Sequence, residues 1–459
     1  KENGTVENSG EYAVLEITIN GTDPKAIWNF AFSVSPAHYY AEGYIEDHPI
    51  DIASNKFGVE WGSFDYMKNI IQSQRNVSVP MGAGPYVATD ASLNDNPAGS
   101  SFRRNNIIYF KANEGFVLGA PKTKRVNYQI VSSNNALIAL EGESVHFVTP
   151  QFTRENAAKL NSSGGNLYKK GMRSTSSWQL GYGYIGINAG KVKNINIRRA
   201  IMAAMNTELA LDYYQVGTAQ QINWPMSMVS WAYPRDDKGN PITDNGWDYT
   251  MYNRASDDDI KKKIRKYMSA AGVSAGSNDL KIKFTIAGSN LTDHPTFNVF
   301  DKAASLLNDC GWDIEVVPDT QALSKLSTGA LSVWAAAWGS TIDPDMYQVY
   351  HKNSTATSTI AWGYREIKNS PLTYATETGI LTTLSDLIDD AREIDFEDDI
   401  VDANGNVLQK GRKTLYKEAM TLVLELAIEL PVYQRNVLYA YNGKIIDEST
   451  LPAVVNPYT

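Results

Sequence analysis

The spacing of apolar residues divides the chain into elements before composition is considered. Ala200, Ile201 and Ala204 repeat at helical intervals and predict a helix from about Ile197 to Gln215, with Arg198, Arg199 and Glu208 on its wet side. Ser256 can cap a second helix, whose stripe of Ile260, Ile264, Met268 and Ala271 runs to a terminating Gly272. A strand over Leu280–Ala287, a helix over Phe297–Asp309 and a strand over Asp313–Pro318 follow as a βαβ-like unit, with Gly311 in its second turn. Alternation predicts a strand at Val14–Asn20. Asn404-Gly405, between Ile400-Val401 and Val407-Leu408, is a strong hairpin signal. Residues 1–188 are otherwise strand-rich, with irregular loops near Ala91–Ser101 and Ser162–Gly165. Asp386–Asp399 is acidic and begins as a helix, the pattern of a solvated face. Periodicity alone supports a mixed α/β protein without internal repeats.

Composition narrows the class. At 459 residues the chain exceeds one ordinary domain, so two lobes with separate cores are expected. Hydrophobic content of 43% with 20% charge describes a globular protein. A net charge of −9 argues against a nucleic-acid binder, which would show a basic stripe. No apolar run is long enough to span a bilayer. The single cysteine, Cys310, excludes an internal disulfide and reads as a small core residue in a helical pattern. The 5 histidines (His38, His48, His146, His294, His351) show no H-E-x-x-H or triad-like context, and no G-x-x-x-x-G-K-[ST] occurs. Asp343 with Asp345 is the nearest approach to a glycosidase carboxylate pair, which only spatial separation can define. The expectation is a protein that is no enzyme and needs no metal or cofactor.

Aromatic residues carry the clue to ligand. There are 10 Trp and 26 Tyr, side chains that offer broad apolar contact with a polar handle and suit a cleft for polar ligands. Candidate linings are Trp178, Tyr182, Tyr184, Trp224, Trp231, Tyr233, Trp338, Tyr347, Trp362, Tyr364 and Tyr433, each with core packing as the alternative. The segment Trp334-Ala335-Ala336-Ala337-Trp338-Gly339-Ser340-Thr341-Ile342-Asp343-Pro344-Asp345-Met346-Tyr347 is the most informative. An apolar run ends in tryptophan and breaks into a small-residue turn, where a ligand can approach the backbone closely.

This segment resembles the ligand-side strand edge of the extracellular solute-binding proteins of family 5, the oligopeptide-binding group. Other motifs follow in the family's order. Phe57-Gly58-Val59-Glu60-Trp61 is similar to its F-G-x-x-W step and Gly82-Ala83-Gly84-Pro85-Tyr86 to its G-T-G-P-Y turn. Ile107–Phe110, with Asn113 and Gly119-Ala120-Pro121, resembles its strand, N-x-x-Y and G-x-P pattern. Ala139–Glu143 resembles A-L-x-x-G-E, one residue short. Asn188 with Ile195–Asn206, Leu415–Ala419 and Leu430–Tyr433 resemble three further elements. Asp23-Pro24, a helix at Ile27–Phe30 and Ser35–His38 resemble the family's interior, and Lys1–Gly4 has no apolar leader, so a fragment lacking its leader and part of the first lobe is expected.

The resemblance implies an α/β, two-lobe, periplasmic-binding-protein-like fold (type II, cluster C), with mixed sheets and flanking helices. Lobe I would be residues 1–188 plus a return segment, 433–459; lobe II would be 189–432. Two crossings, near Asn188 and Val432, would form a hinge that closes on ligand. It implies a monomeric, extracytoplasmic receptor, a surface lipoprotein or a periplasmic protein, delivering short peptides to an ABC-importer permease. An oligosaccharide cargo and a carbohydrate-active enzyme are the alternatives. The expected ligand-binding residues are Ala337, Trp338, Gly339, Ser340, Thr341, Asp343, Asp345, Tyr347, Trp362, Tyr364, Tyr184 and Tyr433. One departure stands out: many peptide-binding members carry an Asp at position 341 for the peptide's α-amino group. A hydroxyl cannot neutralise an ammonium, so Thr341 leaves the amine to pair elsewhere. Asp343 and Asp345 are alternatives, although Asp343-Pro344 also reads as a turn-forming pair.

Overall fold

Tyr182-Gly183-Tyr184-Ile185-Gly186-Ile187 alternates side chains across a sheet buried on both faces, and it organises much of the molecule. The computed structural model describes residues 6–8, 13–19, 35–40, 50–51, 56–57, 63–252, 255–341 and 343–451. The chain divides into two compact units, 1–136 and 137–459. In the first, strands β1 (Tyr86–Ala88), β2 (Ile107–Ala112) and β3 (Arg125–Gln129) form an antiparallel sheet in the order β1-β2-β3. Asn113, just beyond β2, donates its side-chain amide to the Gly84 carbonyl at 2.9 Å, tying the Gly82–Tyr86 turn to the sheet.

The second unit is built on a mixed sheet. Its strands are β4 (Met172–Trp178), β5 (Tyr182–Ile187), β6 (Lys281–Ala287), β7 (Asp313–Asp319), β8 (Val333–Trp338) and the long β9 (Glu429–Asn442), in the order β4-β9-β5-β8-β6-β7. The β6–β7 ladder is parallel and is crossed by helix α3 (Phe297–Asn308), as the apolar pattern predicts. β5 pairs antiparallel with both β8 and β9.

Two cores lie on the two faces. Ile185, Ile187, Phe284, Ile286, Val333, Leu430 and Val432 pack on one face with helices α1 (Ile195–Ala203) and α2 (Asp257–Ala271). Tyr182, Tyr184 and Trp334 face the other, against helices α4 (Tyr347–Tyr350), α5 (Thr357–Trp362), α6 (Tyr364–Asn369), α7 (Ala375–Glu393) and α8 (Arg412–Glu425). No helix among the described residues is long and apolar enough to cross a membrane.

Local signals hold where they are strong. Ser256 accepts from the Asp259 amide and caps α2, Gly272 ends it at φ 70°, and Gly405 turns the Ile400–Gln409 hairpin at φ 84°. Four expectations need correction. The predicted Ile197–Gln215 helix is α1 followed by a separate 3₁₀ segment, Thr207–Tyr213, because Asn206 leaves helical geometry. Arg198 is not on a wet side: it is fully buried, bonded to Glu377 at 3.0 Å and to the carbonyls of Val192, Lys193 and Leu426. Cys310 lies just past α3 rather than within it, though buried as expected. Of the Val14–Asn20 strand, Ala13–Leu15 is β-structure and residues 16–19 are not; Asn20 lies outside the described residues. The Asp23-Pro24 step, the Ile27–Phe30 helix and Gly58–Trp61 also lie outside them.

Candidate functional site

Glycines in and beside β5 make room for rings. A Cβ on Gly186 would stand 2.3 Å from the Trp334 indole, and one on Gly183 would stand 2.4 Å from the Tyr433 ring. With small residues between them, Trp334, Ala336 and Trp338 of β8 face the same side as Tyr182 and Tyr184. Tyr184 stacks on Trp338 with centroids 4.7 Å apart and planes 5° apart. Trp362 stacks on Trp334 at 5.5 Å and on Tyr350 at 6.3 Å, completing an aromatic block.

At the centre of this block is a carboxylate. Glu429, the first residue of β9, is fully buried and accepts from the hydroxyls of Tyr182 and Tyr350, each at 2.8 Å, and from Trp338 Nε1 at 3.3 Å. Desolvation lifts its pKa to about 7, against the pull of those hydrogen bonds. The same burial raises the phenols of Tyr182 and Tyr350. The turn before β9 aims this residue. Ala427 is left-handed at φ 52°, and Arg198 holds the preceding Leu426 carbonyl through Nε and Nη2 at 3.2 and 3.0 Å.

Beside the block is a cavity of about 280 Å³. Its walls include Tyr182, Trp231, Trp338, Gly339, Ser340, Thr341, Asp345 and Tyr350. Five of the expected ligand-binding residues thus meet there: Trp338, Gly339, Ser340, Thr341 and Asp345. The others lie elsewhere. Tyr184 is behind Trp338, and Trp362 and Tyr364 are buried in the core. Tyr433 is on the opposite sheet face against Tyr214, at 5.4 Å. Ala337 is exposed on that opposite side of β8. Tyr347 stacks on His351 at 4.2 Å, with Arg392 over its ring at 4.5 Å.

Both aspartates of the turn already have cations. Asp343 pairs with the buried Arg412 at 2.9 Å, and Asp345 pairs with Arg392 at 3.3 Å and accepts from the Tyr347 amide. Thr341 donates its hydroxyl to the Asp343 carbonyl at 2.7 Å, so it too serves the turn. Of the other aromatic candidates, Trp231 stacks against the Arg412 guanidinium at 4.9 Å, while Trp224 and Tyr233 are core residues. Trp178 lines a separate cavity with Arg235 and Gln434. No three His, Cys, Asp or Glu side chains converge on a metal-sized site among the described residues. Sequence reasoning missed Glu429, yet a signal was present: one carboxylate interrupts the apolar run Leu426–Val432.

Comparison with known proteins adds the family. A model of the bacterial extracellular solute-binding proteins, family 5 Middle, matches residues 6–359. The oligopeptide-binding protein AppA of Bacillus subtilis is 24% identical over 169 residues, 36% of this chain and 27% of that protein. The match therefore spans about a quarter of that relative's length. Its solved structure, in complex with a nonapeptide, superposes with a TM-score of 0.61 at 17% identity, covering 95% of this chain and 73% of that one. NikZ of Campylobacter jejuni, in complex with Ni(L-His), gives 0.60 at 16% identity over 96% and 73%. DppA of Helicobacter pylori, in complex with the peptide STSA, gives 0.57 at 17% over 96% and 70%. These neighbours are periplasmic binding proteins of type II, and this chain has their fold. On the match across most of its length, the chain belongs to the bacterial extracellular solute-binding proteins of family 5, receptors rather than enzymes.

Proposed function

We propose that this chain is the receptor of an ABC importer, trapping short peptides beside the aromatic block and passing them to a membrane permease. One observation supports peptide cargo above the rest. β8 pairs with β6 only at Val333 and Trp334, so among the described residues its edge from Ala335 to Trp338 has no strand partner on that side, and it ends at Trp338 in the cavity wall. An extended peptide added there would gain main-chain hydrogen bonds whatever its sequence, while the cavity received a side chain or terminus. The peptide complexes of AppA and DppA are consistent with that cargo.

The reading includes a lobe I of residues 1–188 with 433–459, a lobe II of 189–432, a monomeric state, and a place outside the cytoplasm as a surface lipoprotein or periplasmic protein. The change of partner along β9, from β5 up to Tyr433 to β4 from Asn436, supports a crossing close to residue 433. Titration calorimetry with a random pentapeptide pool tests the cargo. Trp338→Ala should weaken binding by about 1–3 kcal/mol, the range of a buried aromatic anchor. Retained affinity with a large fall in melting temperature would make Trp338 a core residue. Binding of oligosaccharides but of no peptide would overturn the assignment.

A further inference from the structure

Glu429 is a buried carboxylate whose hydrogen-bond partners are all neutral: Tyr182, Tyr350 and Trp338. No ion pair among the described residues involves it; the cations nearest the turn are committed, Arg412 to Asp343 and Arg392 to Asp345. The titratable groups that face it are phenols from each packed element: Tyr182 and Tyr184 of β5, Tyr350 of α4 and Tyr364 of α6. A carboxylate so placed either keeps its proton or acquires a cation from outside. Its three donors are themselves walls of the 280 Å³ cavity. A phenol that donates its proton to Glu429 retains oxygen lone pairs that can accept from another group. The rings of Trp338 and Tyr350 add faces that attract positive charge.

We propose that Tyr182, Glu429 and Tyr350 form a specificity-determining subsite for the positively charged nitrogen of the ligand, the α-ammonium of a bound peptide. The inference rests on the peptide reading above and deepens it. The three other candidates for this role are occupied: Thr341 by the Asp343 carbonyl, and Asp343 and Asp345 by arginines. The ammonium donates to the phenol oxygens, the phenols keep their protons and go on donating them to Glu429, and the carboxylate supplies the opposite charge. Because Glu429 titrates near neutrality without ligand, a bound cation favours its ionised form, and binding near pH 7 releases a proton to the buffer.

The test uses two pentapeptide pools drawn from Ala, Gly, Val, Ser and Phe, one with free N-termini and one N-acetylated. Affinities are measured by titration calorimetry at pH 7 in buffers of different ionisation heat, for wild type, Glu429→Gln and Tyr350→Phe. Wild type should prefer the free pool by at least about tenfold, the scale of one charge-assisted hydrogen bond, and should release protons. Glu429→Gln should reduce the preference to less than about threefold and abolish the release, with Tyr350→Phe between the two. A folded Glu429→Gln that keeps both preference and proton release overturns the subsite. If Glu429→Gln does not fold, an undiminished preference in folded Tyr350→Phe overturns it instead. Equal binding of the two pools by wild type overturns the subsite and leaves the peptide reading standing. Binding of neither pool overturns the peptide reading and the subsite with it.

Discussion

Burying Glu429 among Tyr182, Tyr350 and Trp338 couples its proton to folding. Its folded pKa, about 7, lies above its ordinary value of 4.5, so the native state holds a proton that the unfolded chain has released. Its contribution is therefore fully present below about pH 4.5 and is lost as pH rises to about 7. His294 acts in the opposite sense: desolvation depresses it from 6.5 to about 4, so its contribution is lost as pH falls through that interval. Melting temperature should thus respond to both limits, and Glu429→Gln should remove only the loss between pH 5 and 7. An unchanged pH profile in that variant would show that Glu429 does not titrate in this range. Arg198 gives a sharper case, because its removal leaves Glu377 charged and buried at 5% exposure. Arg198→Met should cost about 3–5 kcal/mol in chemical denaturation. A loss below 1 kcal/mol would mean that water reaches Glu377.

The aromatic block depends on backbone space in β5. Gly186 lies opposite Glu429 in the β9 ladder and opposite Trp334 in the β8 ladder, and it has no room for a methyl group beside that indole. Gly186→Ala should force Trp334 off its rotamer and destabilise the protein by about 1–3 kcal/mol, the cost of overpacking. Near-ultraviolet circular dichroism should change with it, since Trp334 stacks on Trp362. A variant with unaltered aromatic signal and melting temperature would refute this account of the strand. Helix capping obeys more local rules: Ser256, with its side chain on the Asp259 amide, is worth about 1 kcal/mol to α2 wherever that helix packs.

At the scale of the molecule, the proposed two-lobe reading has ligand trapped by closure around a hinge. Solution scattering should show a smaller radius of gyration when the free pentapeptide pool is added, and Trp338→Ala should need more peptide to reach the same compaction. Binding confirmed by calorimetry with no change in the scattering curve would show capture without closure.

How much of this was legible depends on the range of the forces involved. The cap at Ser256, the stop at Gly272, the βαβ unit and the Asn404-Gly405 turn rest on bonds between near neighbours, and the sequence determined them. It also determined the family, because motif order survives in the chain, and it singled out the Trp334–Tyr347 stretch, of which Trp338–Thr341 line the cavity. The rest required tertiary structure. Whether a tyrosine faces ligand or core depends on which sheet face its register selects, so Tyr433 and Trp338 come from comparable motifs yet lie on opposite faces. Arg198 sits beside the apolar stripe of α1 by spacing, but only Glu377, 179 residues away, decides that it is buried. Glu429 stands 247 residues from Tyr182 and 79 from Tyr350; no local pattern joins them, and the carboxylate becomes a candidate site only when the sheet brings two hydroxyls and an indole onto it.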